Sequence, residues 1–196
     1  MKKFIVASSS PRRRELLEFF GFDFKVIPSG ADENLQENID ACEAVKELSK
    51  RKAESVFAEN KDAVVLGCDT VVSLDGAILG KPSDEEDARK MLRILSGRTH
   101  QVFSGVTIMD KDKTETFAVC SEVQFYELSD EDIDSYIKTG EPMDKAGAYG
   151  IQGLGGALVR KIDGDYYNIV GLPISKTIKV LAGFGVKGST QGESRA

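Results

Sequence analysis

Residues 4–21 read FIVASSSPRRRELLEFFG, and this stretch decides the fold class. The apolar run over residues 4–7 predicts a buried strand. Three serines make the turn, and Pro11 suits a first helical position with Ser10 as N-cap. Leu16, Leu17 and Phe20 give that helix a buried face, and Gly21 stops it. A strand running straight into a helix is the opening of an α/β domain. Arg12, Arg13 and Arg14 crowd the first helical turn, against the positive end of the macrodipole, at a cost of roughly a few tenths of a kcal/mol each. An anion bound there reverses that sign, since free amides, serine hydroxyls and guanidinium forks make a phosphate site. The alternative is a solvated basic turn. The stretch lacks the GK[ST] ending of a Walker loop.

Outward from this unit, strands and helices interleave. Residues 22–28 alternate as a strand, and residues 29–39 form an acidic loop. Asp40 caps a long helix reaching about Asn60, with Val45, Leu48, Val56 and Phe57 on its apolar face. Residues 63–67 are a buried strand with Cys68, Asp69 and Thr70 at its end, and residues 71–79 read as a hairpin on Asp75–Gly76. Ser83 and Glu86 suggest a capping box ahead of a helix carrying Ala88, Met91, Leu92 and Leu95, ended by Gly97. Two strands flank the polar turn DKDK, and Ser129 with Asp132 caps a short helix. Residues 145–156, KAGAYGIQGLGG, form a glycine-rich loop; residues 157–172 read as a second Asp-Gly hairpin; residues 173–185 are the last helix. The expected sheet is mixed, in a single domain over residues 1–185, with residues 186–196 a polar, disordered tail.

Several residues break their local rule. Lys52 interrupts the stripe at positions 45, 48, 52 and 56, either snorkelling out or pointing an ammonium into a cleft. On this reading Lys52→Leu completes the stripe and leaves stability level or higher. Asp69, at the end of an apolar strand, is costly unless paired or bound to a metal. Lys81 in LGKPS is a weak signal alone, and Glu33 in ADEN is by default a solvated acid. Five glycines in residues 145–156 allow close backbone approach, and Gln152 among them carries an amide able to read a base edge. Basic side chains, acids able to hold a metal and an amide by a glycine loop suit a nucleoside triphosphate with Mg²⁺. His100 is the only histidine, so no Ser-His or Cys-His nucleophile pair forms, and metal-assisted attack by water is favoured over covalent catalysis.

The stretches ASSSPRRRELL, GCDTVV, LGKP, LSGRTHQVFSGV, EPMDKAGAYGIQG and DGDYYNIVGLP together resemble the Maf family of nucleoside triphosphate pyrophosphatases, once named septum formation inhibitors. The resemblance runs from about residue 4 to residue 185. It implies an elongated mixed β-sheet flanked by helices, with two lobes around a central cleft, similar to inosine triphosphate pyrophosphatases. It also implies cleavage between the α and β phosphates and, commonly, a homodimer. By motif, Ser8, Arg13, Lys52 and Lys81 would hold phosphates, and Glu33 and Asp69 would ligate Mg²⁺ or another divalent ion such as Mn²⁺. Asp69 would also take the proton of the attacking water, although a metal-bound carboxylate is a poor base, so both of its roles stay open. Arg12, Thr70 and Gln152 fall where nucleotide preferences separate, and match the dTTP/UTP branch.

Composition narrows the partners. A net charge of −6 disfavours bulk attraction to nucleic acid or anionic membrane. Three widely spaced cysteines and one histidine disfavour structural zinc and disulfides and point to a reducing, cytoplasmic compartment. No apolar run is long enough to span a membrane. Two rivals stand beside the enzyme: a nucleotide-binding regulator of cell division with little turnover, and a nucleic-acid module using SSSPRRR.

Overall fold

The computed structural model describes residues 2–36 and 39–189. β1 (Lys3–Ala7) leads into α1 (Pro11–Phe19), as the opening stretch dictates. Ser10 holds the cap position, but its side chain makes no capping bond. β2 (Lys25–Val26) is a short parallel edge on β1, only part of the strand expected over residues 22–28. α2 (Ala41–Phe57) starts at Asp40, whose carboxylate accepts the amides of Cys42 and Glu43.

β3 (Ala63–Leu74) turns through Asp75 and Gly76, both at positive φ, into β4 (Ala77–Leu79). This is the expected Asp-Gly hairpin, whose turn type needs two left-handed residues. α3 (Glu85–Leu95) is capped by Asp84, which accepts the Asp87 amide, one residue later than the Ser83–Glu86 pair suggested. The Asp87 carboxylate reaches back to the Ser83 amide at 3.0 Å, so an aspartate does at Asp87 what a glutamate was expected to do at Glu86. β5 (Thr99–Met109) and β6 (Thr114–Phe125) form the long hairpin around DKDK, and α4 (Asp130–Ile137) carries the Ser129–Asp132 capping box.

After two 3-10 turns comes a third over Leu154–Leu158, then β7 (Val159–Asp163), α5 (Tyr166–Val170) and α6 (Ile174–Gly183). The second Asp-Gly hairpin does not form. Asp165 accepts the Tyr167 amide and starts α5 instead, and buried Asn168 donates to the Val102 carbonyl and the Ser121 hydroxyl, each at 2.9 Å. Those two bonds fasten α5 to the sheet where a returning strand was expected.

The sheet order is β2-β1-β3-β5-β6-β7, with β4 also on β3. The β2-β1-β3 pairings are parallel and the rest antiparallel, so the sheet is open and mixed. Its strands alternate between two covered faces. Even residues of β3 near its start (Val64, Leu66, Cys68) share a core with Leu16 and Leu17 of α1 and Leu181 of α6. Further along, Val72 and Leu74 share one with Leu92 of α3 and Ile133 of α4. Odd residues face α2, where Val65 packs with Ala53 and Val56. Val186 is buried in the first core and the Ser189 amide donates to the Gly21 carbonyl at 3.0 Å, so the start of the expected tail packs on the fold. The rest of that tail, residues 190–196, lies outside the described residues.

His100 is sealed in the second core, 1 % exposed, between the rings of Phe125 and Tyr149. Its Nε2 pairs with the Tyr149 hydroxyl at 2.8 Å. Burial lowers its pKa from 6.5 to about 4. Between those values the unfolded chain binds a proton that the folded chain refuses, so stability falls as pH falls through that window. The expected loss is about 3 kcal/mol, measured by urea unfolding at pH 7 and pH 4. In His100→Gln, which does not titrate, this part of the acid limb should vanish; an unchanged limb would assign it to other groups.

Candidate active site

The site is built on a gap in the sheet. β1 pairs with β3 only as far as Ala7 opposite Gly67, and β4 pairs only from Leu79 opposite Val72 onward. Between these registers, residues 68–71 keep β5 on one side and have an open edge on the other. Asp69 therefore does not end a strand, as the sequence suggested: β3 continues to Leu74, and it is β1 that stops. A cleft of about 700 Å³ fills the gap. Ser8, Arg12, Arg13, Glu33, Lys52, Asp69, Thr70 and Lys81 all line it.

Alternation along β3 sends the adjacent side chains of Asp69 and Thr70 to opposite faces. Asp69 turns toward α2, where its Oδ1 lies 2.6 Å from the Lys52 ammonium. The same ammonium lies 2.8 Å from Oε1 of Glu33. Lys52 thus neither snorkels free nor stands alone; it bridges two acids. Burial pulls its pKa down, but the Asp69 charge and the bonds to Asp69 and Glu33 outweigh that and leave it raised. Glu33 is held below its usual range, first by the Lys52 hydrogen bond and then by the charges of Lys52, Lys81 and Arg13. Gly67 makes the bridge possible. A Cβ there would run into the Ser49 carbonyl and the Ala53 amide, so only glycine lets α2 lie this close. Gly105 on β5 does the same beneath Val45.

Thr70 turns toward α1 and meets Arg13. The Arg13 Nε donates to the Gly171 carbonyl at 2.8 Å, Nη1 to Ser8 Oγ at 3.0 Å and the Cys68 carbonyl at 2.9 Å, and Nη2 to Thr70 Oγ1 at 3.0 Å. Four of the five guanidinium donors are thereby spent inside the protein. Arg13 is a bracket that ties α1 to the open edge of β3 and to the end of α5, with one N–H left for a ligand. Thr70 Oγ1 lies 2.8 Å from Ser104 Oγ, which donates to the Asn168 carbonyl. Ser8 Oγ accepts from Arg13 and from the Ser10 amide at 3.3 Å, which leaves its proton to donate outward.

Arg12 is the freer arginine, making no hydrogen bond or ion pair among the described residues. Burial lowers its pKa, and the nearby Asp144 charge opposes that. Lys81 is exposed at the cleft mouth. Gln152 is exposed on a turn and does not line the cleft, although its neighbours Gly150 and Ile151 do. Asp144 and Lys145, an ion pair, line the cleft and were not singled out from the sequence. Their only signal was adjacency to the glycine loop in EPMDKAGAYGIQG.

Among the described residues no three His, Cys, Asp or Glu side chains gather as a metal site. Glu33 and Asp69 are nonetheless drawn to one cation, the Lys52 ammonium. Two hard carboxylates facing a cleft fit Mg²⁺, which keeps several waters and takes phosphate oxygens as further ligands.

Curated relatives named "dTTP/UTP pyrophosphatase" come from Bacillus velezensis, Bacillus pumilus and Bacillus cereus. They are 53 %, 50 % and 50 % identical over 186 residues, covering 95 % of this chain and 98 %, 98 % and 92 % of theirs. A solved structure, that of the Staphylococcus aureus Ham1 protein, is 18 % identical with a TM-score of 0.48, covering 64 % of this chain and 73 % of that one. The family model described as "Maf-like protein" matches residues 3–184. That span begins at β1, ends at α6 and leaves no strand of the sheet outside it: the chain belongs to the Maf-like protein family.

Proposed function

We propose that this cleft hydrolyses dTTP and UTP between the α and β phosphates, yielding the nucleoside monophosphate and pyrophosphate. The observation that carries the reading is the Glu33–Lys52–Asp69 bridge set across the cleft from the open start of α1. Phosphate oxygens accept hydrogen bonds from the Ser8 hydroxyl and the uncapped amides of α1, and meet the charges of Lys52, Lys81 and Arg13. Glu33 and Asp69 would hold Mg²⁺ or Mn²⁺, which when bound neutralises phosphate charge and assists attack by water.

His100 and Cys68, which could instead serve covalent attack, are closed off. His100 is buried, its Nε2 engaged by Tyr149. Cys68 is buried, its thiol donates to the Gly171 carbonyl at 3.1 Å, and burial pushes its pKa up.

The pyrimidine preference rests on the relatives' names and on Arg12 and Thr70 in the cleft wall. Arg12 offers only donors, which suit a carbonyl of uracil or thymine. A glutamine amide matches N3–H and a carbonyl, and Gln152 sits on the turn directly after the cleft-lining Gly150 and Ile151. The proposal includes a cytoplasmic homodimer without nucleic-acid partners. Three free cysteines and the net charge of −6 fit that setting, and sedimentation velocity tests the assembly. Among the described residues no helix is long and apolar enough to cross a membrane.

A panel of nucleoside triphosphates with Mg²⁺, scored by pyrophosphate release, tests the reading. UTP and dTTP should exceed GTP and 7-methyl-GTP in kcat/KM by at least about tenfold, the worth of one lost buried hydrogen-bond pairing. Purine preference would overturn the base assignment, and absence of pyrophosphate would favour a regulator that binds without cutting.

A further inference from the structure

The glycine-rich loop is wound around a carboxylate. Glu141 follows α4 and opens a 3-10 turn, Glu141–Asp144. Its Oε2 accepts the Leu154 amide at 2.9 Å, and its Oε1 accepts the Gly155 amide at 3.1 Å and the Tyr136 hydroxyl at 2.8 Å. The Tyr136 oxygen in turn accepts the amide of buried Gly150 at 3.1 Å. The glycines answer to this arrangement. A Cβ on Gly153 would strike the Glu141 carboxylate, and one on Gly155 would lie 2.5 Å from the Tyr136 hydroxyl. Two of the five loop glycines therefore give room to Glu141 and Tyr136, which is a close approach of the kind the glycine run predicts.

The clamp reaches the cleft through Gly150. A Cβ there would meet Lys145, Glu141 and Arg12 at 3.2, 3.4 and 3.5 Å. The loop backbone at Gly150 is thus seated against the arginine assigned to the base, and Gln152 follows two residues later. The amides of Leu154 and Gly155 outweigh burial and hold the Glu141 carboxyl below its usual range, so it is ionised and accepts on both oxygens.

We infer that Glu141 is a positioning residue for nucleotide discrimination: acting through Tyr136 and the amides of Leu154 and Gly155, it fixes residues 149–152 against Arg12. It sets nucleoside binding and leaves the chemistry at Asp69 alone. The inference rests on the pyrimidine triphosphate reading above.

Two variants test it. Glu141→Gln keeps the shape, but its NH₂ must face at least one donor of the loop. Tyr136→Phe keeps the Glu141 charge and removes the acceptor for Gly150. In both, KM for UTP should rise about tenfold, and the UTP-over-GTP ratio of kcat/KM should fall about tenfold, with kcat within about threefold. Amide exchange should quicken at Leu154 and Gly155 in the first and at Gly150 in the second. Unchanged KM and ratio, a loss in kcat alone, or unchanged exchange in folded variants would overturn the inference. Wild-type protein that releases no pyrophosphate from UTP would overturn the catalytic reading instead; Kd for UTP by calorimetry, with the exchange rates, then decides the role of Glu141 by the same expected directions.

Discussion

Asp69→Asn is expected to slow pyrophosphate release from UTP by about 10²–10⁴-fold while the protein stays folded. The substitution is isosteric and keeps an oxygen within reach of Lys52, so the bridge at 2.6 Å survives as a neutral-to-charged hydrogen bond. What is lost is the negative charge at the open edge of β3, where residues 68–71 have no strand on the side away from β5. Steady-state kinetics and a thermal melt check the two halves of the expectation. Near wild-type kcat in a folded variant would remove Asp69 from the chemistry. Mn²⁺ binding without nucleotide, read by electron paramagnetic resonance, separates its two candidate roles. If Asp69 holds the metal, affinity falls in the variant; if it only takes a proton, affinity is kept.

Why Asp69 was legible, and its setting was not, comes down to the kind of signal each leaves. A carboxylate in AVVLGCDTVV violates the apolar pattern, and a violation is visible in one dimension. The gap beside it comes from the registers of β1 and β4, which leave no trace in the composition of β3. For the same reason the strand was expected to stop at the aspartate. Local signals carried well: Asp40, Asp75–Gly76 and Ser129–Asp132 each fix a structure through their own backbone bonds. The DGD of residues 163–165 misled because a turn residue and a helix cap share one chemistry, and burial of Asn168 decided between them.

The face of α2 was only half visible. One of its two close approaches to the sheet comes from Ser49 and Ala53 over Gly67, and small residues carry little hydrophobic signal. Arg13 and Gln152 have placements that their side-chain chemistry alone does not reveal. Arg13 spends most of its donors on the protein, and Gln152 sits outside the cleft wall.

Lys52→Leu is where the structure reverses an expectation drawn from pattern alone. Completing an apolar stripe should hold or raise stability, but the stripe at that position faces Asp69, whose side chain is 12 % exposed. Removing the ammonium leaves that carboxylate without its counter-charge, since Lys46, Lys50 and Arg51 of the same helix pair with Glu43, Glu54 and Glu47. An uncompensated charge of this kind costs about 3 kcal/mol, at the low end because the cleft admits water. Glu33 adds little, since its side chain is 64 % exposed and screened. Urea unfolding at pH 7 should show the deficit, and turnover of UTP should fall with it.

The pH dependence has a definite sign. Lys52 has a raised pKa, so its contribution is complete below its ordinary value of 10.5 and is lost as pH climbs through the raised one. Glu33 has a lowered pKa, so its smaller share is complete above 4.5 and is lost as pH falls through the lowered one. The gap between wild type and variant should therefore be widest across neutral pH and close above the lysine range. Millimolar Mn²⁺ should close it at pH 7 as well, because a divalent ion between Glu33 and Asp69 replaces the missing charge and binds the folded state alone. A variant as stable as wild type at pH 7, and indifferent to Mn²⁺, would show that the ammonium compensates nothing, and Lys52 would return to being a surface lysine at the edge of an apolar stripe.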